Sequence, residues 1–267
     1  MILTEQRLSM NIENLSFDDI KKITAEQRLE TDRVWIDLLL NDTRKTVSSF
    51  GSRLLRQRIK IEKEFARIEK MRKFEEEYSD KIVGGFDEAG RGPLAGPVVS
   101  AIVILKKEAK IMYLNDSKKL TVKQREDLYN EILENAVDFG IGIVENTRID
   151  EINILNAVHC TAVHTFNNLQ KMKPEVLLTD ALEIKGLPET IKQTPIIKGD
   201  SKSVNIAAAS IIAKVTRDRL MIEKSQEYPQ YNFAVNKGYG TGEHINAIKK
   251  YGLCPIHRKT FCKNFIN

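Results

Sequence analysis

The chain has 267 residues, of which 42% are hydrophobic and 30% charged, enough to bury a full core in one or two domains. No run approaches the roughly 20 apolar residues of a membrane helix, and no apolar signal segment opens the chain, so we expect a cytoplasmic protein without a membrane partner. The net charge of +5 is compatible with a polyanionic partner, although many basic proteins bind no nucleic acid.

Residues 1–80 differ in composition from the rest of the chain. They contain one glycine, no proline, and equal numbers of basic and acidic side chains, 16 of each. This pattern predicts an all-helical N-terminal extension. Ser16 and Asp19 form a capping signal for a short helix over residues 17–23, and Thr31 is expected to cap a second helix over residues 32–40.

A long helical pattern follows, from residue 43 to about residue 78. Its apolar side chains fall on one stripe at helical spacing: Val47, Phe50, Leu54, Ile61, Phe65 and Ile68. Residues 44–73 hold eleven basic and three acidic side chains. This surplus fits a cationic helix lying along a nucleic-acid duplex, or the solvated outer face of a helix packed on the protein body. The second interpretation is favoured.

From residue 81 to residue 267 the pattern becomes that of an α/β domain with a helical C-terminal part. Short apolar runs predict strands over residues 82–86, 98–105, 139–144, 176–179 and 195–198. Helices are predicted over residues 122–134, 149–170 and 204–220. Early strands follow one another directly and later strands alternate with helices, so we expect a mixed central sheet flanked by helices.

The most informative stretch runs from Phe86 to Pro97. Asp87 and Glu88 end a predicted strand and enter a turn that contains three glycines and two prolines. Neighbouring carboxylates repel each other, and their burial is costly unless a cation compensates them. Magnesium or manganese is the natural compensation, because these hard ions take oxygen ligands. A water-exposed acidic turn is the commoner fate of such a pair, but the glycine-rich turn argues against it here.

The glycines of this turn resemble a dinucleotide-binding loop only superficially. That fingerprint must follow a strand and open a helix. Here Pro93 and Pro97 interrupt the glycines, and a β-rich segment follows. An oxidoreductase is therefore disfavoured.

Further aspartates stand where a second part of a metal site could form. Asp180 follows a buried apolar run, and Asp200 lies between a predicted strand and a long helix. An ordinary loop acid and a helix N-cap are the alternatives for these two residues. Together with Asp87 and Glu88, they could hold two metals for phosphodiester hydrolysis. Asp116 begins the same Asp-Ser-Lys triplet as Asp200, and the pattern does not decide between them.

Lysines and one tyrosine beside these motifs are candidate substrate contacts. Lys118 and Lys119 could bind phosphate, although loop lysines often have no specific role, and Lys202 stands in the matching triplet. Tyr239 lies in a glycine-rich cationic turn that suits stacking on a sugar or base, with burial in the core as the alternative.

The cysteines and histidines carry no metal signal. The cysteines are too few and scattered for a disulfide framework or a zinc site, and we expect reduced thiols: Cys160, Cys254 and Cys262. The histidines lack metal-ligand spacing, which favours structural or surface roles: His159, His164, His244 and His257.

Several segments together resemble bacterial ribonuclease HII: residues 86–97, 116–120, 198–219, 237–244 and 255–258. The resemblance covers residues 81–262. It implies a ribonuclease H-like fold and hydrolysis that leaves 5′-phosphate and 3′-hydroxyl ends, with magnesium or manganese as the cofactor. The implied substrates are RNA–DNA hybrids and DNA duplexes that contain ribonucleotides, and we expect a monomer.

The resemblance also assigns roles to residues. Asp87, Glu88, Asp180 and Asp200 match the catalytic and metal-binding carboxylates of the family, which selects Asp200 over Asp116. Gly90, Arg91 and Gly92 match the loop that senses the ribose 2′-hydroxyl in this family. Tyr239 matches the tyrosine that lies beside the sugar at the RNA–DNA junction. This assignment is chemically sensible, because only the 2′-hydroxyl distinguishes RNA from DNA locally.

The sister family, ribonuclease HIII, is the nearest alternative. It lacks Gly-Arg-Gly in the loop and has a β-containing N-terminal domain, whereas this chain has Gly90-Arg91-Gly92 and a helical extension similar to that of some Gram-positive members. Both features favour HII, which implies incision at single ribonucleotides and a role in their removal from DNA. A hybrid nuclease without junction specificity and a non-catalytic hybrid-binding protein are the competing hypotheses.

Overall fold

The computed structural model describes residues 12–265. It separates into two compact units, residues 1–67 and residues 68–267. The boundary between these units lies before the domain boundary predicted after residue 80. Whether residues 81–267 fold by themselves stays a prediction. No helix formed by the described residues is long and apolar enough to cross a membrane.

The first unit is helical, as predicted. It contains α1 (Phe17–Glu26), α2 (Arg33–Leu40) and most of α3 (Lys45–Met71). The capping box of Ser16 and Asp19 at the start of α1 is confirmed. The prediction that Thr31 caps α2 was wrong, because the Asp32 carboxylate accepts the N–H of Trp35 at 2.9 Å and forms the cap instead.

The long helical pattern is interrupted after Met71, and a short helix, α4 (Lys73–Glu76), follows. The predicted apolar stripe is buried over its first half, at Val47, Phe50 and Leu54. Phe65 on the same stripe is 40% exposed, so the stripe is not a continuous core seam.

The second unit is built on a five-stranded sheet. Its strands are β1 (Val83–Ala89), β2 (Val98–Leu105), β3 (Ala136–Val144), β4 (Val176–Asp180) and β5 (Lys192–Ile196). The spatial order is β3-β2-β1-β4-β5, with antiparallel pairing among the first three strands in sequence and parallel pairing of β1 with β4 and β4 with β5. The predicted mixed sheet is confirmed.

Helices cover both faces of this sheet. The helices that follow β2 in the chain are α5 (Val122–Asn135), α6 (Asn146–Ile152), α7 (Ile154–Asn167), α8 (Val204–Glu227), α9 (Phe233–Asn236), α10 (Gly242–Tyr251) and α11 (Lys259–Cys262). Alternate residues of β2 enter two different clusters, because side chains on a strand point to opposite faces. Ala101 and Val103 pack with α5 and α8, whereas Val98 and Ile102 pack with α6 and α7.

Several predicted elements differ in their bounds from the observed ones, and at two of them a single backbone residue explains the difference. The helix predicted over residues 149–170 is split at Asn153, whose φ of 66° breaks the helix and whose side chain caps α7 through the N–H of Asn156 at 3.1 Å. The strand predicted over residues 195–198 ends at Ile196, because Lys198 adopts a left-handed φ of 58° and starts a 3-10 turn over Gly199–Ser201.

Candidate active site

The parallel strands bring two of the predicted carboxylates to the same edge of the sheet. Phe86 pairs with Thr179, so the next residues, Asp87 on β1 and Asp180 on β4, stand at the same level. Asp200 lies in the 3-10 turn that follows β5, and the N–H of Gly199 in this turn donates to Asp180 Oδ1 at 2.8 Å. Three consecutive parallel strands thus deliver aspartates to one edge.

Asp87 is buried and, like Asp200, has only 8% of its surface exposed. Its pKa is raised well above the ordinary value, chiefly by burial and then by the neighbouring charge of Glu88, with a further contribution from Asp180. The N–H of Glu88 donates to Asp87 Oδ1 at 2.8 Å. The surroundings of Asp87 therefore disfavour its ionised form.

Glu88 is linked to the glycine-rich loop. Burial raises its pKa, and the nearby Arg91 opposes this shift. Arg91 Nη1 lies 3.2 Å from Glu88 Oε1, and half of the arginine side chain remains exposed. The predicted sensing loop and the predicted catalytic pair are therefore in direct contact.

Asp116 is also at this edge, although the sequence resemblance selected Asp200 instead. Burial raises the pKa of Asp200, and the charges of Asp116 and Asp180 raise it further. Asp116 caps the 3-10 turn over Ser117–Lys119, where Asp116 Oδ1 accepts the N–H of Lys118 at 3.0 Å. The two Asp-Ser-Lys triplets therefore face the same acidic site.

The predicted lysines differ in their relation to the acids. Burial lowers the pKa of Lys118, but the negative charges of four aspartates outweigh this effect, so that the net shift is upward. These aspartates are Asp116, Asp87, Asp200 and Asp180. Lys119 is close enough to lower the pKa of Asp200. Lys202 is exposed, and its N–H closes the 3-10 turn on the carbonyl of Gly199.

The donor chemistry of the site suits a divalent cation. Its acids are carboxylates that repel one another across a largely buried edge, and hard cations prefer such oxygen ligands. Among residues 12–265, no three His, Cys, Asp or Glu side chains form a cluster tight enough to hold a metal ion as they stand.

The glycine-rich loop is held by a buried arginine that the sequence patterns did not single out. Arg217, on α8, is fully buried and donates to the carbonyls of Pro97 at 2.9 Å and Ala95 at 3.0 Å. Gly90 has a φ of 100°, and a Cβ at this position would lie 2.2 Å from Arg217 Nε. Arg217 stands near Lys214, Asp218 and Arg219 in the sequence, so no local signal distinguished it as the buried one.

Tyr239 lies beside this loop. A Cβ built on Gly92 would have Tyr239 Cε1 as its nearest neighbour, at 3.9 Å, and the tyrosine is 42% exposed. The guanidinium of Arg217 lies 5.9 Å from the centre of its ring. Tyr239 is therefore an exposed tyrosine, and the alternative of burial in the core is wrong.

A mixed five-stranded sheet flanked by helices, with acidic residues at the ends of its parallel strands, places this protein in the ribonuclease H-like fold class. Comparison with known proteins narrows the class. The family model described as Ribonuclease HII matches residues 84–264, and the model described as Ribonuclease HII N-terminal domain matches residues 17–79.

Relatives agree with the family models. Ribonuclease HII of Clostridioides difficile (strain 630) is 49% identical over 258 residues, covering 96% of this chain and 100% of the relative. Ribonuclease HII of Acetivibrio thermocellus is 54% identical over 214 residues, covering 79% of this chain and 82% of the relative. The crystal structure of ribonuclease H2 from Pyrococcus horikoshii OT3 has a TM-score of 0.58 at 30% identity, covering 68% of this chain and 96% of that one.

The chain belongs to the ribonuclease HII family, and it is an endoribonuclease that hydrolyses phosphodiester bonds. The family resemblance drawn from the sequence motifs, including the helical N-terminal extension, is confirmed.

Proposed function

We propose that this enzyme cuts the RNA strand of RNA–DNA hybrids and incises duplex DNA on the 5′ side of a single embedded ribonucleotide, leaving 5′-phosphate and 3′-hydroxyl ends. The observation that carries the proposal is the contact between Arg91 and Glu88, which joins the glycine-rich loop to the acidic pair. A sugar read by this loop would lie next to the carboxylates. Such an activity fits a role in removing ribonucleotides from DNA, in the cytoplasm and as a monomer.

Asp87, Glu88, Asp180 and Asp200 would hold the metal, magnesium or manganese. When bound, the metal supplies the positive charge that activates the attacking water and stabilises the leaving oxygen. The protein itself contributes position. Parallel strands fix Asp87 and Asp180 at one level, and the hydrogen bond from Gly199 fixes the orientation of Asp180.

Basic side chains around the acids would bind the substrate backbone. Lys118 stays charged among the aspartates and can face a phosphate, while Lys119 and Lys202 extend the positive surface. Tyr239 offers an exposed ring on which a sugar or base can stack. The loop over Gly90, Arg91 and Gly92 would recognise the 2′-hydroxyl, which distinguishes a ribonucleotide from its DNA neighbours.

A cleavage assay tests this proposal directly. The substrate is a DNA duplex with one ribonucleotide, labelled on the ribonucleotide strand and incubated with and without manganese. We expect manganese-dependent incision on the 5′ side of the ribonucleotide. Cleavage of a long RNA–DNA hybrid without incision of this duplex would support the alternative, a hybrid nuclease without junction specificity.

Asp87→Asn is the matched variant for the same assay. The amide has nearly the same shape as the carboxylate but lacks its charge, so we expect cleavage to disappear while duplex binding is largely kept. Turnover in this variant would contradict the assignment of Asp87 as a metal ligand.

A further inference from the structure

The C-terminal segment of the second unit contains a second buried arginine, Arg258, with an unusual set of partners. Its guanidinium donates to four backbone carbonyls of the glycine-rich stretch: Gly90 at 2.6 Å, Arg91 at 3.0 Å, Gly96 at 3.0 Å and Pro97 at 3.2 Å. Burial lowers the pKa of Arg258, and the adjacent charge of Arg217 lowers it further. A buried charge is costly, so its donors must all be well placed.

The preceding residue, His257, belongs to a chain of hydrogen bonds that ends at the turn carrying Tyr239. His257 Nε2 lies 3.0 Å from His244 Nε2, and His244 Nδ1 lies 2.9 Å from the carbonyl oxygen of Tyr239. On its other side, His257 Nδ1 lies 2.9 Å from the backbone nitrogen of Cys254.

The direction of this chain follows from its two ends. The carbonyl of Tyr239 can only accept, so His244 Nδ1 carries a hydrogen. Burial lowers the pKa of both histidines, that of His257 to about 4, so both rings are neutral near pH 7. His244 Nε2 must then accept from His257 Nε2–H. His257 Nδ1 is left as the acceptor for the Cys254 N–H, and every ring nitrogen is satisfied.

Aromatic rings enclose the histidine pair. The ring of Tyr231 lies 4.8 Å from that of His257, and the ring of Phe233 lies 5.3 Å from that of His244. Both histidines are almost fully buried. The pair is therefore shielded from water. Because hydrogen bonds are stronger in such an interior, those of the two histidines hold the backbone of Tyr239 in place.

We infer that His257 and Arg258 are positioning residues for recognition of the ribose 2′-hydroxyl, an inference that rests on the proposed function. Arg258 fixes the carbonyls of Gly90 and Arg91, and His257 acts through His244 on the Tyr239 turn. Because these two residues are adjacent in the chain, one short segment sets the spacing between the two sides of the sugar site. Neither residue contacts the sugar in this proposal; each acts by fixing the backbone of the loop or of the turn that does.

A purely structural role predicts a different result from a positioning role. Loss of overall stability would lower cleavage of every substrate equally. Loss of position would mainly affect the substrate that has a single 2′-hydroxyl to locate, since a long hybrid offers one at every nucleotide. The test is therefore the ratio of kcat/KM on the single-ribonucleotide duplex to kcat/KM on a long hybrid.

Arg258→Lys and His257→Phe are the test variants. The lysine keeps the charge but loses the forked donors, and the phenylalanine keeps an aromatic ring but loses both hydrogen bonds. We expect each to lower the ratio by roughly tenfold or more, because small errors in position carry large rate costs. His257→Gln, whose amide N–H can replace Nε2–H, should recover part of the loss. Ratios equal to that of the wild type in Arg258→Lys and His257→Phe, with cleavage of both substrates reduced alike, would overturn the inference.

Asp138→Asn is the control for stability. Asp138 is buried in the same unit and holds the N–H groups of Lys171 and Met172 through Oδ2, at 2.6 Å and 2.9 Å. It pairs with Ile104, toward the end of the sheet away from Asp87. We expect this variant to lose stability without changing the ratio, with thermal unfolding measured for all variants. A changed ratio here would show that the ratio reports stability, and the inference would fall.

A double-mutant cycle tests the route through Tyr239. If His257 acts on this tyrosine, the losses from His257→Phe and Tyr239→Ala on the single-ribonucleotide duplex should overlap and fail to add. Additive losses would overturn the route. The wild-type enzyme separates this result from the proposed function: its failure to incise the duplex would refute the function itself, whereas normal incision with additive losses would refute the positioning role alone.

Discussion

Asp87 and Glu88 lie in a buried position that disfavours negative charge, and basic residues nearby partly offset this effect. Burial raises the pKa of both acids, Arg91 opposes the shift at Glu88, and Lys118 lies within reach of several aspartates. The acids of such a site can bind a cation, and its basic side chains can bind a phosphate. This is the residue-scale basis of the proposed activity.

Arg91 and Tyr239 should contribute to substrate choice more than to cutting itself. We expect Arg91→Ala or Tyr239→Ala to reduce kcat/KM on a single-ribonucleotide duplex by roughly tenfold more than on a long hybrid, because only the first substrate depends on locating one sugar. Tyr251→Ala is the matched control, since Tyr251 is also an exposed tyrosine. Equal losses on both substrates would refute junction sensing by these two residues.

The neutral histidine pair should give the protein a dependence of stability on acid. The pKa of His257 is lowered to about 4, chiefly by burial and then by His244. Below its ordinary value of 6.5, the unfolded chain takes up a proton that the folded protein does not, so the free energy of unfolding should fall as pH drops from 6.5 toward 4. Above pH 6.5 this contribution is fully present.

Urea unfolding at several pH values measures this effect. Acidic groups also titrate in this range, but their contribution is shared by the wild type and His257→Gln. The difference between the two proteins should therefore isolate the histidine, with a slope of up to about 1.4 kcal/mol per pH unit. Parallel curves for the two proteins would show that His257 is not held neutral by the fold.

At the scale of elements, the contact between β1 and α8 decides how the acidic edge is built. A Cβ added to Gly85 would lie 2.1 Å from the backbone carbon of Asn205 and 2.3 Å from the nitrogen of Ile206. Strand and helix thus meet backbone to backbone, directly behind the acidic pair. This close approach ties the position of Asp87 to the start of α8.

Gly85→Ala should therefore destabilise the second unit strongly. Because the obstructing atoms belong to the backbone, we expect a loss of about 3 kcal/mol in the free energy of unfolding, together with reduced activity. Gly242→Ala is the control, because a Cβ there has nothing within 4 Å and Gly242 lies in the first turn of α10. That variant should be neutral or slightly stabilising in the same urea titration. A mild effect at Gly85 would mean that α8 can shift without cost.

At the scale of the whole molecule, the segment from residue 68 to residue 80 belongs with the catalytic unit. Ile68 and Met71 lie in the core cluster with α8, and Phe74 and Tyr78 pack against a second cluster. Glu75 Oε1 accepts from Ser203 Oγ at 2.6 Å and from the N–H of Asn205 at 3.1 Å, at the start of α8. The segment is thus part of the support for the site.

Two truncated proteins test this division. Residues 68–267 should fold with the stability of the catalytic unit, whereas residues 81–267 should lose at least about 3 kcal/mol, because two buried apolar side chains and a helix-capping carboxylate are removed. Thermal unfolding of both proteins measures the difference, and equal stability would restore the predicted boundary at residue 80. If residues 68–267 bind duplex with an unchanged salt dependence, the basic residues removed make no phosphate contacts.

Sequence patterns predicted the elements whose signals are local. The capping box at Ser16, the strand Val98–Leu105 and the mixed order of the sheet follow from periodicity and short-range chemistry, and the structure confirms them. Errors occurred where one residue's backbone decides the outcome. Asn153 divides a helix and Lys198 ends a strand through left-handed φ values that no periodicity records.

The sequence alone determined the family and the residue types of the site, because acidic and glycine-rich motifs carry their chemistry in a few adjacent positions. Only the tertiary structure decided what holds those motifs in place. Arg258 reaches Gly90 across 168 positions of the chain, and Asp116 joins the acids of the parallel strands through a separate turn. Such contacts depend on strand order and helix packing, which no local pattern specifies.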